Sequence, residues 1–156
     1  MKSIFGIRNA VVAVAAVAVM GFSARNLRPA AAAPVEVVVY KSATCGCCAK
    51  WVDHMRANGF KVTVHDVDNV DTYKASNGVP KSLTSCHTAL VQGYVVEGHV
   101  PADVVQRMLK ERPAIVGIAA PGMPAGSPGM EMGGRKDKLD IMAFDKAGHA
   151  TVYTSR

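Results

Sequence analysis

Three of the four cysteines of this 156-residue chain fall within four positions, Cys45-Gly46-Cys47-Cys48. Cys45 and Cys48 have the Cys-x-x-Cys spacing of a dithiol couple. At a helix N-terminus the partial positive charge would favour a thiolate. Disulfide exchange uses two sulfurs, however, and Cys47 is a third. An excess of soft thiolates suits a soft ion such as Cu(I) or Zn(II). Adjacent cysteines point different ways on a regular backbone, so one ion does not easily take all three. A multinuclear cluster with bridging sulfurs relaxes that constraint, and Gly46 is expected to give the loop its bend. Cys86, in Ser85-Cys86-His87, is either a fourth sulfur of the same site or the disulfide partner of Cys47. His87 and His99 are candidate imidazole ligands. Met123 and Met130 stand in a Pro/Gly-rich stretch, residues 120–134, that offers no periodic core face. Their thioethers would favour Cu(I) over Zn(II). Against the metal reading stand a redox pair made of Cys45 and Cys48, and a purely structural disulfide with a spare thiol.

The elements that must carry these residues are legible in the pattern. Val35 to Tyr40 is short and β-branched, a buried strand. Cys48 to Asn58 reads as a helix with Trp51, Val52 and Met55 on its apolar stripe, stopped by Asn58-Gly59. Phe60 to Val67 alternates as a second strand. Asp68 to Ser76 is polar and reads as a short helix ended by Asn77-Gly78. Two short strands, Thr88 to Val91 and Tyr94 to Glu97, flank Gln92-Gly93, a hairpin signal. Pro101 opens a helix to about Glu111, ended by Pro113. Leu139 to Phe144 and Ala150 to Tyr153 form a closing hairpin. The order predicts an α/β, thioredoxin-like single domain with a mixed sheet and a C-terminal hairpin, spanning residues 33–156. His54, His65 and His149 read as surface residues, and Met55, Met108 and Met142 as core.

Composition narrows the partners. The chain is 49% hydrophobic and 19% charged with a net charge of +6, which first suggests nucleic acid. Lys2, Arg8, Arg25 and Arg28 lie in the first 33 residues, which hold no acid; without them 14 basic residues face 12 acidic ones. No nucleic-acid partner is therefore expected. Lys2 and Arg8, the apolar run Ala10–Phe22 and the small residues Ala30 to Ala32 match a secretory signal peptide over residues 1–32. That run is shorter than the roughly 20 residues a membrane span needs. An exported protein without stable membrane insertion is expected, in a compartment that oxidises thiols. Phosphate-binding loops, dinucleotide fingerprints, nucleophile elbows and His-Glu-x-x-His motifs are absent from the sequence, which excludes the common kinase, dehydrogenase and hydrolase classes.

Four segments together resemble the periplasmic CopG-like family: Thr44 to Cys48, Ser85 to Ala89, Tyr94 to Pro101, and Met123 to Glu131. The resemblance spans about residues 35 to 154. It implies a thioredoxin-like fold, with copper held on the Cys-x-Cys-Cys loop in a thiolate cluster. It also implies a role in copper resistance, with Cu(I)/Cu(II) conversion as one form of that role. Cys45, Cys47 and Cys48 match the motif cysteines and Cys86 the later one. His87, His99, Met123 and Met130 lie in matching segments. Copper ions and other periplasmic copper-handling proteins are the implied partners. The rival readings are a thiol-disulfide oxidoreductase using Cys45 and Cys48, a heavy-metal-associated metallochaperone domain, and a structural domain with two disulfides. The metallochaperone domain follows its first helix and strand directly with another strand, whereas here the polar stretch Asp68 to Ser76 intervenes.

Overall fold

In this computed structural model residues 33–131 and 133–156 are described. The expected signal peptide lies outside them, as does Met132. The chain runs β1 (Glu36–Lys41), α1 (Gly46–Ala57), β2 (Lys61–Asp66), α2 (Val70–Ser76), a single 3-10 turn (Lys81–Leu83), β3 (His87–Val91) and β4 (Tyr94–Glu97). It continues through α3 (Ala102–Glu111), β5 (Gly117–Ala119), β6 (Asp140–Phe144) and β7 (Ala150–Ser155). All seven strands join one open sheet in the order β2-β1-β3-β4-β5-β6-β7. The β1–β2 and β4–β5 pairs are parallel, and the other four are antiparallel. The mixed α/β class and the closing hairpin are as expected from the sequence. Among the described residues no helix is long and apolar enough to cross a membrane.

Each parallel pair is joined by a helix, because parallel neighbours need a crossover. Alternating strand side chains then feed two cores. On one face Trp51, Val52 and Met55 of α1 and Val104, Val105 and Met108 of α3 pack on Val37, Val39, Ala89, Ile118 and Ile141. On the other, Val79 and Leu83 pack on Val95, Ala119 and Phe144. Met55 and Met108 are core as expected, and Met142 packs partly buried on the second cluster. Gln92 and Gly93 both take positive φ, 46° and 86°, which suits the tight turn between β3 and β4.

Strand β5 was not foreseen. It is three residues long, and all three are buried, so it carries no alternation. Its Gly117 pairs with Val95, and a Cβ built there would stand 2.2 Å from the Val95 carbonyl oxygen. Only glycine fits. Gly117→Ala should therefore force the β4–β5 pair apart and cost about 1–3 kcal/mol; chemical denaturation measures it.

Candidate metal centre

The sulfurs sit where β1 hands over to α1. Cys45 is the N-cap of α1 in extended conformation (φ −77°, ψ 92°), and the Cys48 backbone N–H donates to its Sγ at 3.3 Å. The first turn of α1 holds no acid to compete for the helix's positive end. Gly46 is the first helical residue, and an added Cβ would meet nothing within 4 Å. The expected special bend at Gly46 is thus not needed: the N-cap geometry of Cys45 alone turns the sulfurs together.

Cys45 and Cys48 are joined as a disulfide, while Cys47 and Cys86 are free thiols. Cys47 Sγ lies 3.5 Å from Cys45 Sγ. Cys48 is fully buried, its Sγ 3.9 Å from the Cys86 carbonyl oxygen. The four sulfurs all lie within 4.8 Å of one another. Cys86 lies beside the loop, as expected from the sequence: it arrives from the segment entering β3, which pairs antiparallel with β1 (Lys41↔His87).

A second triad, Cys86, His87 and His99, meets the same distance limit. His99 Nδ1 donates to the Pro128 carbonyl at 2.8 Å, which leaves Nε2 as the bare acceptor, 2.8 Å from Cys86 Sγ. A ligating imidazole is oriented in just this way, by a carbonyl on its far nitrogen. Burial lowers the His99 pKa, against the Pro128 carbonyl, which favours the charged form. Burial, helped by the Cys47 sulfur, pushes the Cys86 thiol up to about 12. Without a metal, the shared proton therefore stays on sulfur.

His87 is wholly buried, with Nδ1 3.6 Å from Cys86 Sγ and Nε2 lacking any hydrogen-bond partner. Its ring rests 4.4 Å from Trp51 and 5.0 Å from His99. Burial holds its pKa well below the usual imidazole range, and the charges of His99, Lys74 and Lys41 add to this. The unfolded chain then binds a proton near pH 6.5 that the folded chain refuses. The His87 contribution to stability is full above that value and lost as pH falls below it. The loss amounts to up to about 1.4 kcal/mol per pH unit. Melting of the metal-free protein should drop on acidification, and His87→Phe should flatten the slope.

Residues 120–131 of the Pro/Gly-rich stretch fold as a flap over the start of α1. Gly129, at φ +86°, approaches so closely that a Cβ would stand 2.6 Å from the Cys47 carbonyl oxygen and 3.0 Å from the Trp51 nitrogen. The Glu131 carboxylate accepts from the Gly129 N–H at 3.0 Å. Met130 therefore follows directly on the contact with the cysteine loop. Met123 is not gathered in: it is 57% exposed. Two residues outside the expected set help shape the centre. Trp51 Nε1 donates to the Val100 carbonyl at 2.8 Å, tying α1 to the His99 segment. His54, expected at the surface, accepts from the Ala102 N–H at 3.1 Å and is half-buried. A histidine six residues after Cys-x-Cys-Cys gives no sequence signal of such a bond.

The fold and these side chains define a class: a mixed α/β domain whose strand-to-helix loop carries a thiol cluster able to hold metal. The chain belongs to the CopG copper resistance protein family. Two solved structures of a copper resistance protein, CopG, in its forms 1 and 2, match it with TM-scores of 0.74 and 0.75. Each is 46% identical in sequence, over 79% of this chain and 98% of the other. Residues 83–130 match the family model described as "Protein of unknown function, DUF411". No curated protein matches the sequence.

Proposed function

We propose that this protein is an exported copper-handling protein that holds Cu(I) on Cys45, Cys47, Cys48 and Cys86, with His99 Nε2 as the first imidazole ligand. The observation that carries the reading is the convergence of four sulfurs within 4.8 Å of one another. Beside them, the lone pair of His99 is aimed at Cys86 by Pro128. Thiolates and imidazole together select a soft ion. The likeness to a copper resistance protein supports copper as that ion. His87, with its unpartnered Nε2, and Met130 are further ligands in this reading; Met123 would have to turn inward. The β2-β1-β3-β4 order, with a helix after β4, supports the thioredoxin-like reading of the core. The charged start and apolar run of residues 1–32 support export to the periplasm.

Cys45 and Cys48 enter as ligands only after an external two-electron donor opens their disulfide. Cys86 enters only after losing its proton. Cu(I) affinity at Cys86 should accordingly rise about tenfold per pH unit, with one proton released per Cys86 thiol engaged. Competition with a chelator at about pH 6 and about pH 8 reads this directly. The deciding experiment is copper per chain by elemental analysis after anaerobic reduction, Cu(I) loading and desalting against a chelator. Two or more retained ions support a thiolate cluster; none, with the thiols verified free, rejects it.

The disulfide at the N-terminus of α1 favours a second reading, a thiol-disulfide oxidoreductase using Cys45 and Cys48. That activity would survive Cys47→Ser, because exchange needs only the outer pair.

A further inference from the structure

The charged pair most deeply buried in the fold lies on the far side of the sheet from His87. Lys74 Nζ of α2 donates to Glu97 Oε1 of β4 at 2.7 Å, with the two side chains 5% and 0% exposed. It is the only ion pair among the described residues with both side chains buried. Such a pair contributes little net stability, since desolvation offsets the attraction. What it holds is therefore informative.

Thr88 and Glu97 are direct partners in the β3–β4 register, so both side chains stand on the α2 face. Thr88 Oγ1 donates to Glu97 Oε2 at 2.7 Å, and Lys74 also donates to Thr88 Oγ1 at 3.2 Å. The remaining donor to the carboxylate is a backbone group: the Ser85 N–H reaches Glu97 Oε1 at 2.6 Å. Ser85 immediately precedes Cys86. Its hydroxyl donates to the Gly122 carbonyl, and its side chain fills the space where a Cβ on Gly98 would stand.

We propose that Glu97, its charge balanced by Lys74, is a positioning residue that fixes Cys86 against the Cys-x-Cys-Cys loop through the Ser85 N–H. The inference rests on the reading that Cys86 belongs to the metal centre. The carboxylate reaches round the end of the sheet and anchors the turn from behind, while the flap holds the same residue by its hydroxyl. In the interior the Glu97 carboxylate accepts from three groups, Lys74 Nζ, Thr88 Oγ1 and the Ser85 N–H.

The test compares two charge-neutral double variants of the full chain. Lys74→Met with Glu97→Gln keeps an acceptor for the Ser85 N–H; Lys74→Met with Glu97→Leu does not. With Cys45–Cys48 closed, diamide is used to join Cys47 to Cys86, and the rate is read by mass spectrometry beside the melting temperature. The glutamine variant should cross-link at close to the wild-type rate and the leucine variant about tenfold or more slower, because thiol pairing depends steeply on placement. Equal rates in all three proteins would overturn the proposal, as would equal slowing in both variants. Should the leucine variant not fold, Ser85→Pro deletes the same donor. The preceding Thr84 is already extended (ψ 145°), as proline requires. Wild-type cross-linking from Ser85→Pro would likewise overturn the idea. The readout involves no copper, so a protein that binds none would refute the proposed function and leave this inference to be judged separately.

Discussion

Replacing Cys47 with serine should abolish multi-copper loading of the reduced protein while leaving the domain folded. Cys47 is a free thiol, partly exposed, 3.5 Å from Cys45 Sγ and within 4.8 Å of both Cys48 and Cys86. No ladder bond or core contact depends on its side chain, so the stability change should stay within about 0.5 kcal/mol. Its position between the outer pair and Cys86 makes it the sulfur best placed to bridge ions. A hydroxyl in its place is a hard, neutral donor that does not bridge Cu(I). Copper per chain, measured by elemental analysis against a chelator, should fall from two or more to at most one. Unchanged stoichiometry in a folded Cys47→Ser protein would end the cluster reading. Cys86→Ser provides the companion measurement: it removes the sulfur that faces His99, and the proton release tied to Cys86 should vanish with it.

The second large effect is expected from Gly129→Val. Two penalties coincide there. The backbone is left-handed at φ +86°, which a β-branched residue resists by about 1–2 kcal/mol. The new side chain would also collide with the Cys47 carbonyl and the Trp51 nitrogen, both backbone atoms of the first turns of α1. The flap must lift, and with it goes the Pro128 carbonyl that orients His99. Copper affinity should drop at least tenfold, of the order seen when an orienting partner of a ligand is lost. Limited proteolysis within residues 120–134 should speed up at the same time. Gly134→Val is the control: its φ is +85°, but an added Cβ meets nothing within 4 Å. It bears the backbone strain without the collision, and its affinity should stay near wild type. Equal loss in both variants would mean that strain in the Pro/Gly-rich stretch matters, and contact with the cysteine loop does not.

Much of this was readable from the chain alone. The β-branched run of β1, the stripe on α1 and the Gln92-Gly93 turn each carry a local signal with a direct physical cause. The Cys-x-Cys-Cys loop and Cys86 declared themselves by chemistry. Other features were invisible because they depend on contacts between distant segments. Strand β5 is too short and too evenly buried to show a period. Lys74 sits in a helix that reads as polar and solvated, yet it is 4% exposed, because Glu97 and Thr88 from another hairpin meet it there. The orientation of His99 comes from a backbone carbonyl 29 residues away, and carbonyls leave no mark in a sequence. The pairing of Cys45 with Cys48 was one of several options until the loop geometry selected it.

The closed disulfide has a consequence for how occupancy must be counted. A chain with Cys45 and Cys48 joined offers two thiols; the same chain after gaining two electrons and two protons offers four. In the proposed function, capacity is then set by electron supply as much as by ion supply. A titration at fixed copper against a graded thiol buffer should give a step in bound metal at the midpoint of the disulfide couple. The plateau below that step would report what Cys47 and Cys86 hold by themselves.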